Sequence, residues 1–390
     1  MRITGAAAEF NPFHLGHQRF LREAKKETGA DYCAVVMSSA FTERGDCAVF
    51  SAASRTAAAL RCGADIVLEL PVRTACAGAE DFTFGSVYAL HSLGCIDSIC
   101  FGSESGDTGG LERAAAAIKR IDPGDVDRNS PHRNGTYAGA LGEYLISIGE
   151  MDAAEVMAAP NNVLGMGYIS ALGSLNSSIR PYTVKRDRSD GDFPSSSEIR
   201  SALSAGDQDF ADRSMPPEML EQIPDPVKKS GILRNDDFSL ILMNEILLHT
   251  ADELSSVYEC SPELARRIKK LCRPGMSYSE LVMAVKSKHL TESRVRRVLT
   301  HIFLGICGQY EPPRYVRLLG YRRGAEEALS EIGKKSEIPV IARLSDLKEQ
   351  SDPVKSAFEE TERSHALWEE AWYLKYGELP SGIDRVITTD

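Results

Sequence analysis

The chain has 390 residues, 43% of them apolar and 26% charged, and carries a net charge of −11. That length accommodates roughly two or three domains with sizeable cores, and an ordinary composition without low-complexity tract or internal repeat excludes a disordered, fibrous or solenoid protein. No apolar run approaches the roughly 20 residues of a membrane span and no leader-like start precedes the first strand, so a soluble cytoplasmic protein without a membrane partner is expected.

Four short apolar or β-branched runs recur at nearly even spacing: "RITGAAA" from Arg2, "YCAVVMS" from Tyr32, "DIVLELP" from Asp65 and "DSICFG" from Asp97. They are continuous rather than alternating, which suggests burial on both faces of a parallel sheet. Between them lie the helical stretches "HQRFLREAKKETG", stopped by Gly29, and "SRTAAALRCG", with Ser54 as a candidate N-cap and Gly63 as the stop. "PNNVLGMGYISAL" from Pro160 reads as a loop entering a helix, "YTVKR" as a fifth strand and "SSSEIRSAL" from Ser195 as a capped helix start. The expected class is α/β, a Rossmann-like parallel sheet over residues 1–210 followed by a mostly helical domain over 211–390, with a linker in "SMPPEMLEQIPDPVKKSG". The final stretch reads as an amphipathic helix with Trp368 and Trp372 packing back on the core.

The nine cysteines form no Cys-x-x-Cys pair, which favours buried reduced thiols over a zinc site or disulfides, and no metal-ligand cluster is read elsewhere. The net acidity hides an asymmetry. Residues 261–323 hold fourteen Lys and Arg against four Glu and no Asp.

The first turn after the first strand is "EFNPFHLGH", which places His14 and His17 on one face where a helix begins. Ligands of open parallel sheets gather at the carboxyl ends of the strands. A helix N-terminus there offers unpaired N–H groups and a partial positive charge to a phosphate, and two imidazoles add donors. A His-x-x-His pair alone is common; opening the first helix of a β-α array, in the His-x-Gly-His form, it resembles the signature of nucleotidylyltransferases and class I synthetases. Those transferases resemble one another also in a Ser/Thr-rich helix start ending in Ile-Arg. "SSSEIR" supplies it here, with Ser195, Ser196, Ser197 and Arg200 as a phosphate cradle. "GKKSEIP" near Lys334 is no convincing synthetase Lys-Met-Ser-Lys-Ser loop.

Beyond the histidines, "RGDCAV", "SRTAAALRCGADIVLELP", "AEDFTFGSVYAL", "IDSICFGSE", "PNNVLGMGYISAL", "LTESRVRRVLTHIFLGI" and "YVRLLGYRRGAEEALSEIGKKSEIPVIARL" follow in order the blocks of the tRNA(Met) cytidine acetate ligase family, which the chain resembles over residues 1–345. The resemblance implies a ligase that joins acetate and ATP into acetyl-adenylate and passes the acetyl group to the N4 amine of the wobble cytidine of elongator tRNA(Met). It implies His14, His17 and Arg200 as the catalytic set, with magnesium inferred from the triphosphate. It implies an ATP loop of Ala7, Ala8, Glu9, Phe10, Asn11, Pro12, Phe13, His14, Leu15, Gly16, His17, Gln18, Arg19 and Phe20. Gly102, Asn161, Asn162, Arg186 and Ser197 are further ATP contacts on the same ground. The basic segment then has a reason in tRNA phosphates, with Arg266, Arg267, Lys269, Lys270, Arg294, Arg296 and Arg297 as candidates.

Three departures from the family pattern stand out. Ser51-Ala52-Ala53 replaces an acidic residue, a Lys and an aromatic; "GTYAGALGEY" lacks the usual basic residues near Tyr137; and Phe10 replaces a Tyr. Two other readings compete: a small-molecule nucleotidylyltransferase, which the long basic half disfavours, and a tRNA- or nucleotide-binding protein without turnover.

Overall fold

The fold, here a computed structural model, is described for residues 1–129, 137–186, 193–380 and 385–390. Five expected strands form as β1 (Ile3–Ala8), β2 (Tyr32–Met37), β3 (Ile66–Glu69), β4 (Ser98–Ser103) and β5 (Arg180–Lys185). They lie parallel in the order β5-β4-β1-β2-β3. Cys33 through Met37 are wholly buried, as a strand covered on both faces requires. The order reverses between β4 and β1, so the crevice above those two carboxyl ends is the expected ligand position.

The helices that build the site are α1 (Leu15–Thr28), α2 (Ala52–Arg61), α3 (Ala79–Ser92), α4 (Pro160–Ser174) and α5 (Ser196–Ala205). Three later ones matter: α6 (Pro262–Leu271), α7 (Glu292–Leu304) and α8 (Asp352–Tyr376). Small residues in β1 allow close packing: a Cβ on Gly5 would lie 2.7 Å from the Leu90 side chain of α3. Gly29, at φ 60°, closes α1 in the left-handed conformation expected of its stop.

The carboxyl-terminal half is not purely helical. β6 (Val316–Arg322) runs antiparallel to β3, and β7 (Val340–Ile341) and β8 (Ile387–Thr389) both pair with β6. The main cluster of buried apolar side chains draws on residues from both sides of residue 210, from Ile3 to Trp372. Asp65, fully buried at the start of β3, ties the halves together: it accepts from Lys25 at 2.9 Å, from the Cys33 N–H at 2.8 Å and from Arg322 Nε at 2.9 Å. Trp368 and Trp372 stack on each other inside the core. No helix among the described residues is long and apolar enough to cross a membrane.

Candidate active site

His14 is the N-cap of α1, and its capping bonds decide what it can do. Its Nδ1 accepts the Gly16 N–H at 3.0 Å, and His17 Nδ1 accepts the His14 N–H at 3.3 Å. A neutral imidazole that accepts at Nδ1 carries its proton at Nε2. Both rings, 3.7 Å apart between centroids, are thus set as Nε2–H donors. Burial keeps them neutral: it pulls His14 down to about 3, with Arg186 adding to the effect, and holds His17 well below its ordinary value, with His14 and Arg186 adding. Gly16 is dictated by the cap, since a Cβ there would stand 2.8 Å from His14 Cε1. Phe10, at φ 49°, and Phe13 are buried beneath the pair, edge to face at 4.9 Å. A non-glycine residue in that conformation is a mark of local strain held by its surroundings.

The rest of the expected loop divides. Ala7 and Ala8 are in ladder register with Val36 and Met37, and the Pro12 carbonyl accepts from Ser196 Oγ at 3.3 Å. The side chains of Gln18, Arg19 and Phe20 turn elsewhere, to Cys62, to Glu23 and to the cluster of Ala24, Cys100 and Val184.

Across the crevice, the loop after β4 and the start of α4 hold one another. Glu104 takes the Asn161 side-chain amide at 2.6 Å and the Asn162 N–H at 3.0 Å. Asn162 Oδ1 accepts the N–H groups of Glu104 and Ser105 while its Nδ2 donates to the Val156 carbonyl, so Asn162 is buried and internally satisfied. Asn162 thus shapes the loop, and Glu104 fills the helix N-terminus. Arg186 Nη1 donates to Asn161 Oδ1 at 2.7 Å, and its stem crosses Gly102, where a Cβ would be 3.2 Å from Arg186 Cγ. Gly102 therefore makes room for Arg186, whose charge faces both histidines.

Arg200 approaches from α5. Its Nη1 donates to the Asn11 carbonyl at 2.7 Å, and its Nη2 reaches Ser197 Oγ at 3.4 Å and Asp46 Oδ2 at 3.5 Å. Ser195 and Glu198 form the capping box that fixes this helix start. Asn11 is itself pinned, donating to the Cys47 carbonyl and accepting the Val49 N–H. Arg55, fully buried, donates to the carbonyls of Glu9, Ser38, Ser39 and Phe50 and so binds the ends of β1 and β2 together. Sequence reasoning missed Arg55, Asp46 and Glu104; only their position in loops at the carboxyl edge could have flagged them. The altered Ser51-Ala52-Ala53 stretch lines a hollow with His365 and Trp368, away from His14.

The seven basic candidates separate too. Lys270 is exposed and Arg294 half-buried; Arg266 is exposed with a 3.4 Å contact to Glu263. Arg267 donates to the carbonyls of Val285, Ala284 and Lys286, and Lys269 to those of Ile246 and His249. Arg296 pairs with Asp46 and Glu292 at 2.7 Å each, and Arg297, buried, pairs with Glu259 at 2.7 Å. Arg297 thus lies inside the molecule and not on a phosphate track, because Glu259 offers it a two-pronged partner.

A sequence model of the family described as HIGH Nucleotidyl Transferase matches residues 1–375. The tRNA(Met) cytidine acetate ligase of Acetivibrio thermocellus is 33% identical over 380 residues, covering 91% of each chain, and that of Clostridium perfringens is 32% identical over 373 residues, covering 90% and 92%. The crystal structure of Thermotoga maritima TmcAL bound with alpha-thio ATP has a TM-score of 0.86 to this fold at 27% identity, covering 100% of both chains. With a family match along nearly its whole length and relatives a third identical over nine-tenths of it, the chain belongs to the HIGH nucleotidyl transferases and, within them, to the tRNA(Met) cytidine acetate ligases.

Proposed function

We propose that the protein is an ATP-dependent ligase that activates acetate as acetyl-adenylate and acetylates N4 of the wobble cytidine of elongator tRNA(Met). The observation that carries this reading is the pair of neutral imidazoles, both fixed as Nε2–H donors by their capping bonds, at the reversal of strand order. In the first step an acetate oxygen attacks the α-phosphorus of ATP and pyrophosphate leaves. Negative charge grows on the phosphate oxygens, so donors set in place beforehand stabilise the transition state without reorganisation. His14 and His17 take that role. Arg200, held by Asn11, Ser197 and Asp46, neutralises the β- and γ-phosphates, and Arg186 faces the nucleotide from β5. Being neutral, the imidazoles donate without changing protonation state over the physiological range.

Among the described residues no group of three His, Cys, Asp or Glu is placed to hold a metal. Magnesium, where it accompanies ATP, would be coordinated by the triphosphate oxygens and would offset their charge during attack. Residues 1–210 form the adenylating part; the later half, with Arg266, Lys270 and Arg294 turned outward or half-exposed, meets the tRNA.

The test is transfer of radiolabelled acetate to an elongator tRNA(Met) transcript, with acetate-dependent ATP–pyrophosphate exchange followed in parallel. The expected outcome is ATP-dependent label, lost with exchange by more than about a hundredfold in His14→Ala, His17→Ala. Exchange without label in any tRNA would point to another acceptor, and absence of both would sink the reading.

A further inference from the structure

Activation of acetate leaves two acids at the carboxyl edge without a task. Glu9 follows β1 directly, five residues before His14. Its Oε1 accepts the Glu43 N–H at 2.8 Å, while among the described residues Oε2 makes no hydrogen bond and the side chain keeps part of its surface. The charged and titratable groups around it come from four elements: Glu43, Arg44 and Asp46 of the 38–50 loop, Arg200 of α5, Arg55 of α2 and Tyr168 of α4. The hydrogen bonds of Arg200 and Arg55 go to Asn11, Ser197, Asp46 and backbone carbonyls, none to the Glu9 carboxylate. Glu43 in turn faces Arg297, 3.8 Å away, and Glu259 beyond it.

The second half-reaction needs a proton acceptor. The exocyclic amine of cytosine shares its lone pair with the ring, so attack on a carbonyl places positive charge on nitrogen until a proton leaves. We propose that Glu9 is the general base of acetyl transfer, its Oε2 taking the N4 proton as the nitrogen–carbon bond forms and the carbon–oxygen bond to AMP breaks, with Glu43 as the residue that positions it. The displaced electron pair goes to the AMP phosphate oxygen. This assignment rests on the ligase reading. Burial raises the Glu9 carboxyl above its ordinary value, the Glu43 N–H and the arginines offsetting only part of the effect; burial and then Glu9 push Glu43 up to about 7. A carboxylate whose pKa burial raises is a stronger base than an exposed one, which suits it to accept a proton.

The test separates the two half-reactions with synthetic acetyl-adenylate. In Glu9→Gln, where an amide oxygen still accepts the Glu43 N–H, single-turnover transfer from acetyl-adenylate to tRNA should fall by about 10²–10⁴-fold. Acetate-dependent exchange, which Glu9 can influence only through the ATP loop, should fall by at least about tenfold less than transfer does, with an unchanged melting curve. The parent transfer rate should rise with pH through the Glu9 titration, and that rise should vanish in Glu9→Gln. Transfer in Glu9→Gln at the parent rate, or equal losses in exchange and transfer, would overturn the assignment. Failure of the parent protein in both assays would instead reject the ligase reading.

Discussion

Arg55 is a guanidinium with no surface and, among the described residues, no salt bridge. Its Nε and both terminal nitrogens donate to four main-chain carbonyls, and burial lowers its pKa to about 10, with Glu9 and Glu69 working in the other direction, so it is charged at neutral pH. Arg55 therefore carries positive charge beneath the crevice floor while fixing where Glu9 and Ser39 leave their strands. Arg55→Lys keeps the charge and loses the planar fork, leaving two or three buried carbonyls without a donor. We expect a loss of about 2–5 kcal/mol in stability, read as a lower urea midpoint at unchanged m-value.

At the scale of elements, β1 to β5 were legible because a strand buried on both faces must be apolar throughout, and the runs from Arg2, Tyr32, Asp65 and Asp97 are. β6 was not: in Val316–Arg322 buried and partly exposed positions alternate, so two arginines and a glycine sit among its apolar residues and the segment reads as part of a helical half. The histidine pair was legible because its spacing and its place after a strand are both local. The fate of the basic residues was not, since Arg297 meets Glu259 and Arg296 meets Asp46 across 38 and 250 residues of chain. α6 and α7 therefore present fewer cations to solvent than their composition promises. Neutralising Lys270 or Arg294 should lower the salt dependence of tRNA binding by about one phosphate contact each. Arg297→Ala should leave that slope alone and lower stability by about 3 kcal/mol, since it strands Glu259. Filter binding over a salt series and thermal melting distinguish the two classes.

The whole molecule depends on its last long helix. Trp368 Nε1 donates to the Ala48 carbonyl at 2.8 Å, Thr361 Oγ1 accepts the Val72 N–H at 3.1 Å, and His365 Nε2 stands 2.5 Å from the buried Glu69. α8 thus reaches the loop after β2, the end of β3 and the helical turn Val72–Ala75 that follows it at once. Burial of two tryptophans is worth several kcal/mol each against a total stability of about 5–15 kcal/mol. A chain ended before Asp352 should therefore lack a cooperative melting transition and bind no ATP, although every residue of the crevice is present; calorimetry and nucleotide titration of the truncated protein would check this.

The antiparallel seat of β6 against β3 also sets the order in which this protein can be made. β3 is complete at Glu69, but the strand that covers its open edge ends at Arg322. At ordinary elongation rates the ribosome needs on the order of ten to fifty seconds to cross that interval. Throughout it, a nascent sheet of Val, Ile and Leu has unpaired main-chain groups along one side, the kind of template on which neighbouring chains pair. The nucleotide fold is encoded at the start of the message, and its protection from aggregation arrives only near the end.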